Sequence, residues 1–430
     1  MSAVPAAVGT YRHWQIKILA ATWLSYFGYY LCRKPFYIVK GAMGASQGYS
    51  SMALANIGTV YLVGYAIGQF SSAYFGRKLG PRLLLLCGMA ISIVCNMVFG
   101  ASHGIIYLAL FMAINGIAQG TGWPGCIGSL GFWFKRKERG SILGVWSTCY
   151  QVGPLVAGVW ASFLLGFMGW RWAFFGASLS LMAIWAVVFF LHPNTPEDVG
   201  FKSVEDEADK QAAGKTAEAP MTQVQDGLGW DRDVIISVVI MGLIYFCIKF
   251  LRYALWSWAP YFLNHNFGMA GDQAGYLSTI FDLCGFAGVL ASGWVSDKWF
   301  AGRRSSLAFL LLMGMTLSFI GMRVFGSMSI TLFAVFMGCC GFMLYGPDSL
   351  LSGVGAIDVG SARTALVAAG IINGMGSIGP IFQEQIIGWM YEAFGRQLTP
   401  IFAMFVVVAS MGAAATFFLY MRTRRGHSNV

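Results

Sequence analysis

The chain has 430 residues, 57% of them hydrophobic and only 11% charged, and a mean hydropathy of +0.64. Apolar runs of about 20 residues, the length that crosses ~30 Å of hydrocarbon, recur from end to end, which excludes a water-soluble domain. The formal charge of +10 sits mostly in short connections, where Lys and Arg meet anionic headgroups, so it speaks for orientation in a lipid bilayer and against nucleic-acid binding.

In chain order the apolar runs predict twelve helical spans, at roughly 15–37, 53–75, 81–100, 105–130, 141–166, 171–191, 233–264, 272–294, 304–324, 328–352, 362–390 and 398–421. No small-residue cleavage site follows the first run, which is therefore expected to stay as a membrane helix. Between the sixth and seventh runs, Glu205, Asp206, Glu207, Asp209, Lys210 and Lys215 stand among Ala, Gly and Gln, a composition that cannot bury a core of its own. The expected organisation is an N-terminal six-helix half over 1–191, a cytoplasmic linker over 192–232 and a C-terminal six-helix half over 233–430. This is an all-α polytopic membrane protein with two pseudo-symmetric halves.

Basic residues alternate between connections. Arg12 and Lys17, then Arg77, Lys78 and Arg82, then Lys135, Arg136, Lys137 and Arg139, then Lys298, Arg303 and Arg304, and finally Arg422, Arg424 and Arg425 mark one side. The other side carries chiefly Lys40, Arg171 and Arg396, so both termini are expected in the cytoplasm. Small residues such as Gly116, Gly120 and Gly122, or Gly370, Gly374 and Gly376, are expected to let helices approach closely. The nine cysteines have no metal-ligand spacing, and no Ser-His-acid, paired-carboxylate or phosphate-loop arrangement appears. Neither an enzyme nor a cofactor is expected.

The halves repeat. Arg33, in Tyr29-Tyr30-Leu31-Cys32-Arg33-Lys34-Pro35-Phe36, has a counterpart 219 residues on (252 − 33) in Arg252 of Phe250-Leu251-Arg252-Tyr253. Pro124 answers to Pro347 at 223 (347 − 124), and Pro154 to Pro380 at 226 (380 − 154). Arginines at matching depth in duplicated halves are candidates for a central anion clamp, since guanidinium meets phosphate oxygens with paired hydrogen bonds; the other reading is that both snorkel to the headgroups. Lys34 and Lys249 add charge near them or snorkel too. Asp282, Asp348 and Glu384 are acids inside spans, serving coupling or a static ion pair.

The loop Gly76-Arg77-Lys78-Leu79-Gly80-Pro81-Arg82, its second copy Val295-Ser296-Asp297-Lys298, and Gly153-Pro154 resemble the major facilitator superfamily. Within it, the Tyr29–Phe36 run, Asn115-Gly116-Ile117-Ala118-Gln119-Gly120-Thr121-Gly122-Trp123-Pro124, Lys137-Glu138-Arg139-Gly140 and Arg252-Tyr253 with Trp258-Ala259-Pro260 resemble the organophosphate:phosphate antiporter family, which includes glycerol-3-phosphate, hexose-6-phosphate and glucose-6-phosphate transporters. The resemblance implies the major facilitator fold, a phosphate clamp of Arg33 and Arg252, and an association of Lys34 with the acid at Asp282. The chain departs from the family where better-known members have a helix-two lysine (here Gln69), a helix-five histidine (here Tyr150) and an acid or amide after the second arginine (here Ser257).

The expected function is exchange of a small organophosphate for inorganic phosphate by rocker-switch alternating access. Substrate contacts are expected from Arg33, Arg252, Lys34, Tyr30, Gln69, Tyr150, Lys249 and Tyr345, and coupling or gating from Lys34, Asp282, Asp348 and Glu384. The alternatives are an organophosphate-sensing receptor or a proton-coupled organic anion transporter. The expected partners are the phosphorylated anion, inorganic phosphate and the lipid bilayer. A monomer in a bacterial inner (plasma) membrane is the expected setting, and the lack of an Asn-x-Ser/Thr acceptor fits it.

Overall fold

The structure, a computed structural model, describes residues 10–135, 138–201, 232–299, 304–349 and 365–425. Among these it contains fourteen α-helices, one short 3-10 turn and no strand. The helices are α1 (Tyr11–Leu31), α2 (Lys34–Gln47), α3 (Ser51–Ala101), α4 (Ile105–Gln119), α5 (Gly122–Trp133), α6 (Arg139–Trp146), α7 (Cys149–Met168) and α8 (Trp170–Leu191), then α9 (Arg232–His265), α10 (Gly271–Trp299), α11 (Arg304–Phe325), α12 (Ile330–Ser349), α13 (Ala365–Ala393) and α14 (Thr399–Arg424). Among the described residues ten stretches, from Ser51–Gly76 to Thr399–Arg424, are long and apolar enough to cross a membrane. The expected first and eleventh spans are carried by α1 with α2 and by α13, and residues 350–352 and 362–364 of the tenth and eleventh lie outside the described residues.

The described residues group into two compact units, the first within the bounds Met1–Pro35, Val60–Trp160 and Arg171–Asp226, the second within Phe36–Thr59, Ala161–Trp170 and Gly227–Val430. The expected linker falls largely on residues 202–231, outside the described ones. Its first part is docked on the first unit: buried His192 shares a 2.8 Å hydrogen bond with Ser129, and Asn194 Oδ1 accepts from the Arg82 backbone N–H at 3.2 Å.

Proline and glycine decide where the first unit's helices break. Pro35 has no N–H to give the Leu31 carbonyl, so the helix pauses at Cys32–Arg33 and restarts at Lys34 with proline in its first turn. The Cys32 carbonyl is instead met by Asn115 Nδ2 at 3.2 Å. In α3 the chain turns at Gly80, whose φ of 77° only glycine adopts without strain, and Pro81 follows. That kink separates the expected second and third spans.

Close backbone approach holds α3 to α4. A Cβ on Gly68 would stand 2.2 Å from the Ile117 carbonyl oxygen, and one on Gly116 would stand 2.2 Å from that of Tyr61. The second unit repeats the device between α10 and α12, where Gly288 faces the Phe342 carbonyl and Gly341 that of Phe281. The expectation for Gly370 and Gly374 is corrected: nothing described lies within 4 Å of their Cβ positions, and only Gly376 of that set is closely packed, against Tyr245.

In the second unit the start of α3 is tied to α13 by polar groups. Glu392 accepts from the Met52 backbone N–H at 2.9 Å and from the Ser51 hydroxyl at 3.0 Å, placing a carboxylate at the positive N-terminus of α3. Gln385 Nε2 donates to Asn56 at 3.0 Å and to Thr59 at 2.7 Å.

Two outcomes follow from this packing. Gly116→Ala should lower the thermal midpoint in detergent, because its methyl meets a carbonyl that cannot move away; overpacking of this kind costs about 1–3 kcal/mol. Gly144→Ala, with nothing within 4 Å, should leave the midpoint unchanged. The second concerns pH. Glu392 lies beyond the expected span ending at 390, and the Met52 N–H foremost, then the Ser51 hydroxyl, holds its carboxyl below the ordinary value. The folded form is therefore favoured above the usual carboxylate range, and this share of stability should fade as pH drops below it. A melting series from pH 7 to pH 3 (roughly the carboxylate range) should show a smaller acid loss for Glu392→Gln than for the parent.

Candidate transport site

Arg33 sits at the break between α1 and α2 with 4% of its surface exposed. No carboxylate pairs with it among the described residues. Its Nε donates to Gln119 Oε1 at 2.9 Å, which also accepts from Tyr61 OH at 2.9 Å. The Gln119 amide nitrogen is held in turn by Ser92 Oγ at 3.2 Å and Asn115 Oδ1 at 3.3 Å, so the oxygen is fixed toward the guanidinium. The Arg33 Cζ lies 4.9 Å from the Tyr30 ring and 4.8 Å from the Tyr65 ring. Its buried Nη2 has no hydrogen-bond partner among the described residues. The cation is thus oriented by neutral groups and aromatic faces, and its charge is not cancelled.

Gln69 and Tyr150 belong to the same unit. Gln69 Nε2 donates to Tyr65 OH at 3.1 Å, one ring away from Arg33. Tyr150 packs edge-on against Tyr26 at 4.9 Å, and Tyr26 meets Tyr30 at 5.8 Å, so Tyr150 reaches the Arg33 surroundings through two aromatic rings. Lys34 is buried at the first position of α2.

The second unit gathers Arg252, Tyr345, Asp282 and Asp348. Arg252 Nη1 pairs with Asp348 Oδ2 at 2.5 Å, and the guanidinium carbon lies 4.4 Å from the Tyr345 ring. Tyr345 OH donates to buried Asp282 at 2.7 Å, which fixes the ring under the cation. Lys249, one helical turn before Arg252, donates instead to Asn373 Oδ1 at 2.8 Å and Ser377 Oγ at 3.3 Å. Glu384 pairs with Lys40 Nζ at 2.9 Å and accepts a short hydrogen bond from Ser257.

A family model described as Major Facilitator Superfamily matches residues 19–382. The chain belongs to this superfamily. Among its relatives, a Chlamydia pneumoniae protein named "Probable hexose phosphate transport protein" is 27% identical, over 90% of this chain and 87% of that one. "Sugar phosphate exchanger 3" of Bos taurus is 28% identical over 84% and 78%, and "Glycerol-3-phosphate transporter" of Bacillus subtilis (strain 168) is 25% identical over 89% and 88%. Among solved structures, a bacterial homolog of the lysosomal transporter Spinster superposes with TM-score 0.72 at 14% identity, covering 98% of this chain and 99% of that one. The D-xylose–proton symporter superposes with TM-score 0.69 at 14% identity, covering 95% and 97%. At such identities the structures speak for the twelve-helix facilitator fold alone.

Two residues of this facilitator escaped the sequence reading. Gln119 stands in the helix-four run, yet nothing in its spacing says that its oxygen orients an arginine. Lys40 is assigned above to a connection; in the structure α2 runs on to Gln47 and Lys40 is fully buried, its ammonium also 3.5 Å from the Trp258 ring centre. The signal that could have found it is Glu384, since an acid in an apolar run requires a cation nearby. Removing either partner leaves the other charge buried alone, a change of about 3–5 kcal/mol. Lys40→Met and Glu384→Gln should each depress thermal stability strongly, and the double variant should recover much of the loss. Additive losses in a melting assay would show that the two charges do not depend on each other.

Proposed function

We propose that this facilitator exchanges a small phosphorylated organic anion for inorganic phosphate, with Arg33 and Arg252 as the residues that bind the phosphate group. The observation that carries the reading is the state of Arg33: a buried guanidinium, oriented by the Gln119 oxygen and two tyrosine faces, with an Nη2 that has no partner and no acid to neutralise it among the described residues. A phosphate monoester carries close to two negative charges near neutral pH and accepts the paired donors a guanidinium offers. The names of the relatives above, which speak of hexose phosphate, sugar phosphate and glycerol-3-phosphate, support the same class of substrate.

Tyr30, Gln69, Tyr150, Lys34, Lys249 and Tyr345 supply the remaining polar and aromatic contacts in this reading. With Gln69 and Tyr150 in place of a lysine and a histidine, the organic part is recognised more by neutral hydrogen bonding than by charge. Lys34, Asp282 and Asp348 are assigned to coupling, Glu384 takes the static ion-pair role with Lys40, and the uncancelled charge of Arg33 resists the closing motion until an anion is bound. Transport proceeds by alternating access, with both termini in the cytoplasm of a bacterial inner membrane and one chain as the working unit.

The test is reconstitution into phosphate-loaded liposomes with labelled organophosphates supplied outside. Arg33→Lys and Arg252→Lys should each lower exchange by about two orders of magnitude, near 3 kcal/mol of charge-assisted hydrogen bonding, because lysine keeps the charge and loses the planar fork. Transport at the parent's rate in either variant would make that arginine a headgroup anchor. Saturable binding without flux would identify a sensor, and uptake driven by a pH gradient without internal phosphate would identify a proton symporter.

A further inference from the structure

The two arginines have different partners. Arg33 is oriented by an amide oxygen, whereas Arg252 is bound to a carboxylate, Asp348, at 2.5 Å. The Arg252–Asp348 pair also differs from the other buried-segment pair in the same unit. The side chains of Lys40 and Glu384 are 0% and 1% exposed, and those of Arg252 and Asp348 are 18% and 10% exposed. The first pair is sealed; the second is partly exposed.

We propose that Asp348 is a resident counter-anion of Arg252 which the phosphate group of the substrate displaces, and that it thereby sets how much negative charge a ligand needs to be carried. This rests on the reading of the chain as a phosphate exchanger. Tyr345 makes the swap possible without loss of the site: its ring lies 4.4 Å from the guanidinium carbon, and its hydroxyl is held by Asp282, so Arg252 keeps its aromatic platform whichever anion it binds. A dianionic phosphate ester brings more charge to the guanidinium than the single charge of the aspartate and displaces it. A monoanion of the same shape offers no more charge than Asp348 already supplies, and is disfavoured. Asp348 therefore acts as a specificity-determining residue by competition, a repulsive element beside an attractive one.

The experiment measures inhibition of phosphate self-exchange by inorganic phosphate, glycerol 3-phosphate and glycerol 3-sulfate, the last an isosteric monoanion, in liposomes carrying parent, Asp348→Asn or Asp348→Glu protein. In Asp348→Asn the half-inhibitory concentration of inorganic phosphate should fall about tenfold, and the preference for phosphate ester over sulfate ester should shrink by about tenfold. Asp348→Glu, which keeps the competing charge, should retain the preference. Asp348→Ser carries the same expectations as Asp348→Asn and serves if the asparagine variant does not accumulate. Weaker phosphate binding, or an unchanged preference in the neutral variants, would overturn the proposal and leave Asp348 as a structural partner. A parent protein that exchanges neither phosphate nor glycerol 3-phosphate would sink the proposed function itself, a result separate from the failure of this inference.

Discussion

A cation buried inside the protein has to be satisfied by the protein, because bulk water does not reach it, and the way each buried cation is satisfied decides what it can do. Lys40 is met by a full carboxylate, a hydroxyl relay and an indole face, and all of these are sealed. Such a pair holds helices in register and leaves nothing for a ligand. Among the described residues Arg33 is met by a carbonyl oxygen and π faces, so its orientation is fixed while its charge remains available. Arg252 lies between these cases, paired with an acid that has some exposure. One electrostatic constraint, met in three ways, separates scaffold from site.

The neutral solution at Arg33 requires an extended support. Gln119 can present its oxygen only because Ser92 and Asn115 occupy its nitrogen, and Asn115 in addition donates to the Cys32 carbonyl at the break between α1 and α2. The same α4 segment includes Gly116, one of the points where the backbones of α3 and α4 approach closely. The helix-four run therefore combines close packing with polar support in one stretch of ten residues, 115–124. A substitution there would disturb the arginine even without touching it, since amide position and helix separation are set together.

How much of this could be read from the residues depends on whether the signal is periodic. Apolar runs long enough to cross a bilayer have few alternatives, so the spans were legible, as was the interruption between 75 and 81; that it takes the form of a turn at Gly80 came from the structure. The duplicated glycine seams at Gly116 and Gly341 follow the same repeat as the arginines. Lys40 was not legible as buried, because a single lysine past the end of an apolar run looks like a connection until its partner is known, and that partner lies 344 residues away. Gly370 and Gly374 show the converse: small residues at helical spacing permit close approach and do not compel it.

Ser257 joins these strands. The resembled family often has an acid or amide at this position; here the hydroxyl instead donates to Glu384, so the carboxylate comes from α13 and is shared with Lys40 of α2. Ser257 follows Arg252 by five residues on the unbroken helix α9, about 7.5 Å along its axis. One element thus carries Arg252 and contacts the sealed Lys40–Glu384 pair. A displacement of α9 when Arg252 changes partner would load the Lys40–Glu384 cluster and, beside it on α13, the bonds of Gln385 and Glu392 to the start of α3. Supplying the acid from α13 therefore does more than balance the charge of Lys40: through Ser257 it joins α2 and α13 to the helix that bears the second arginine.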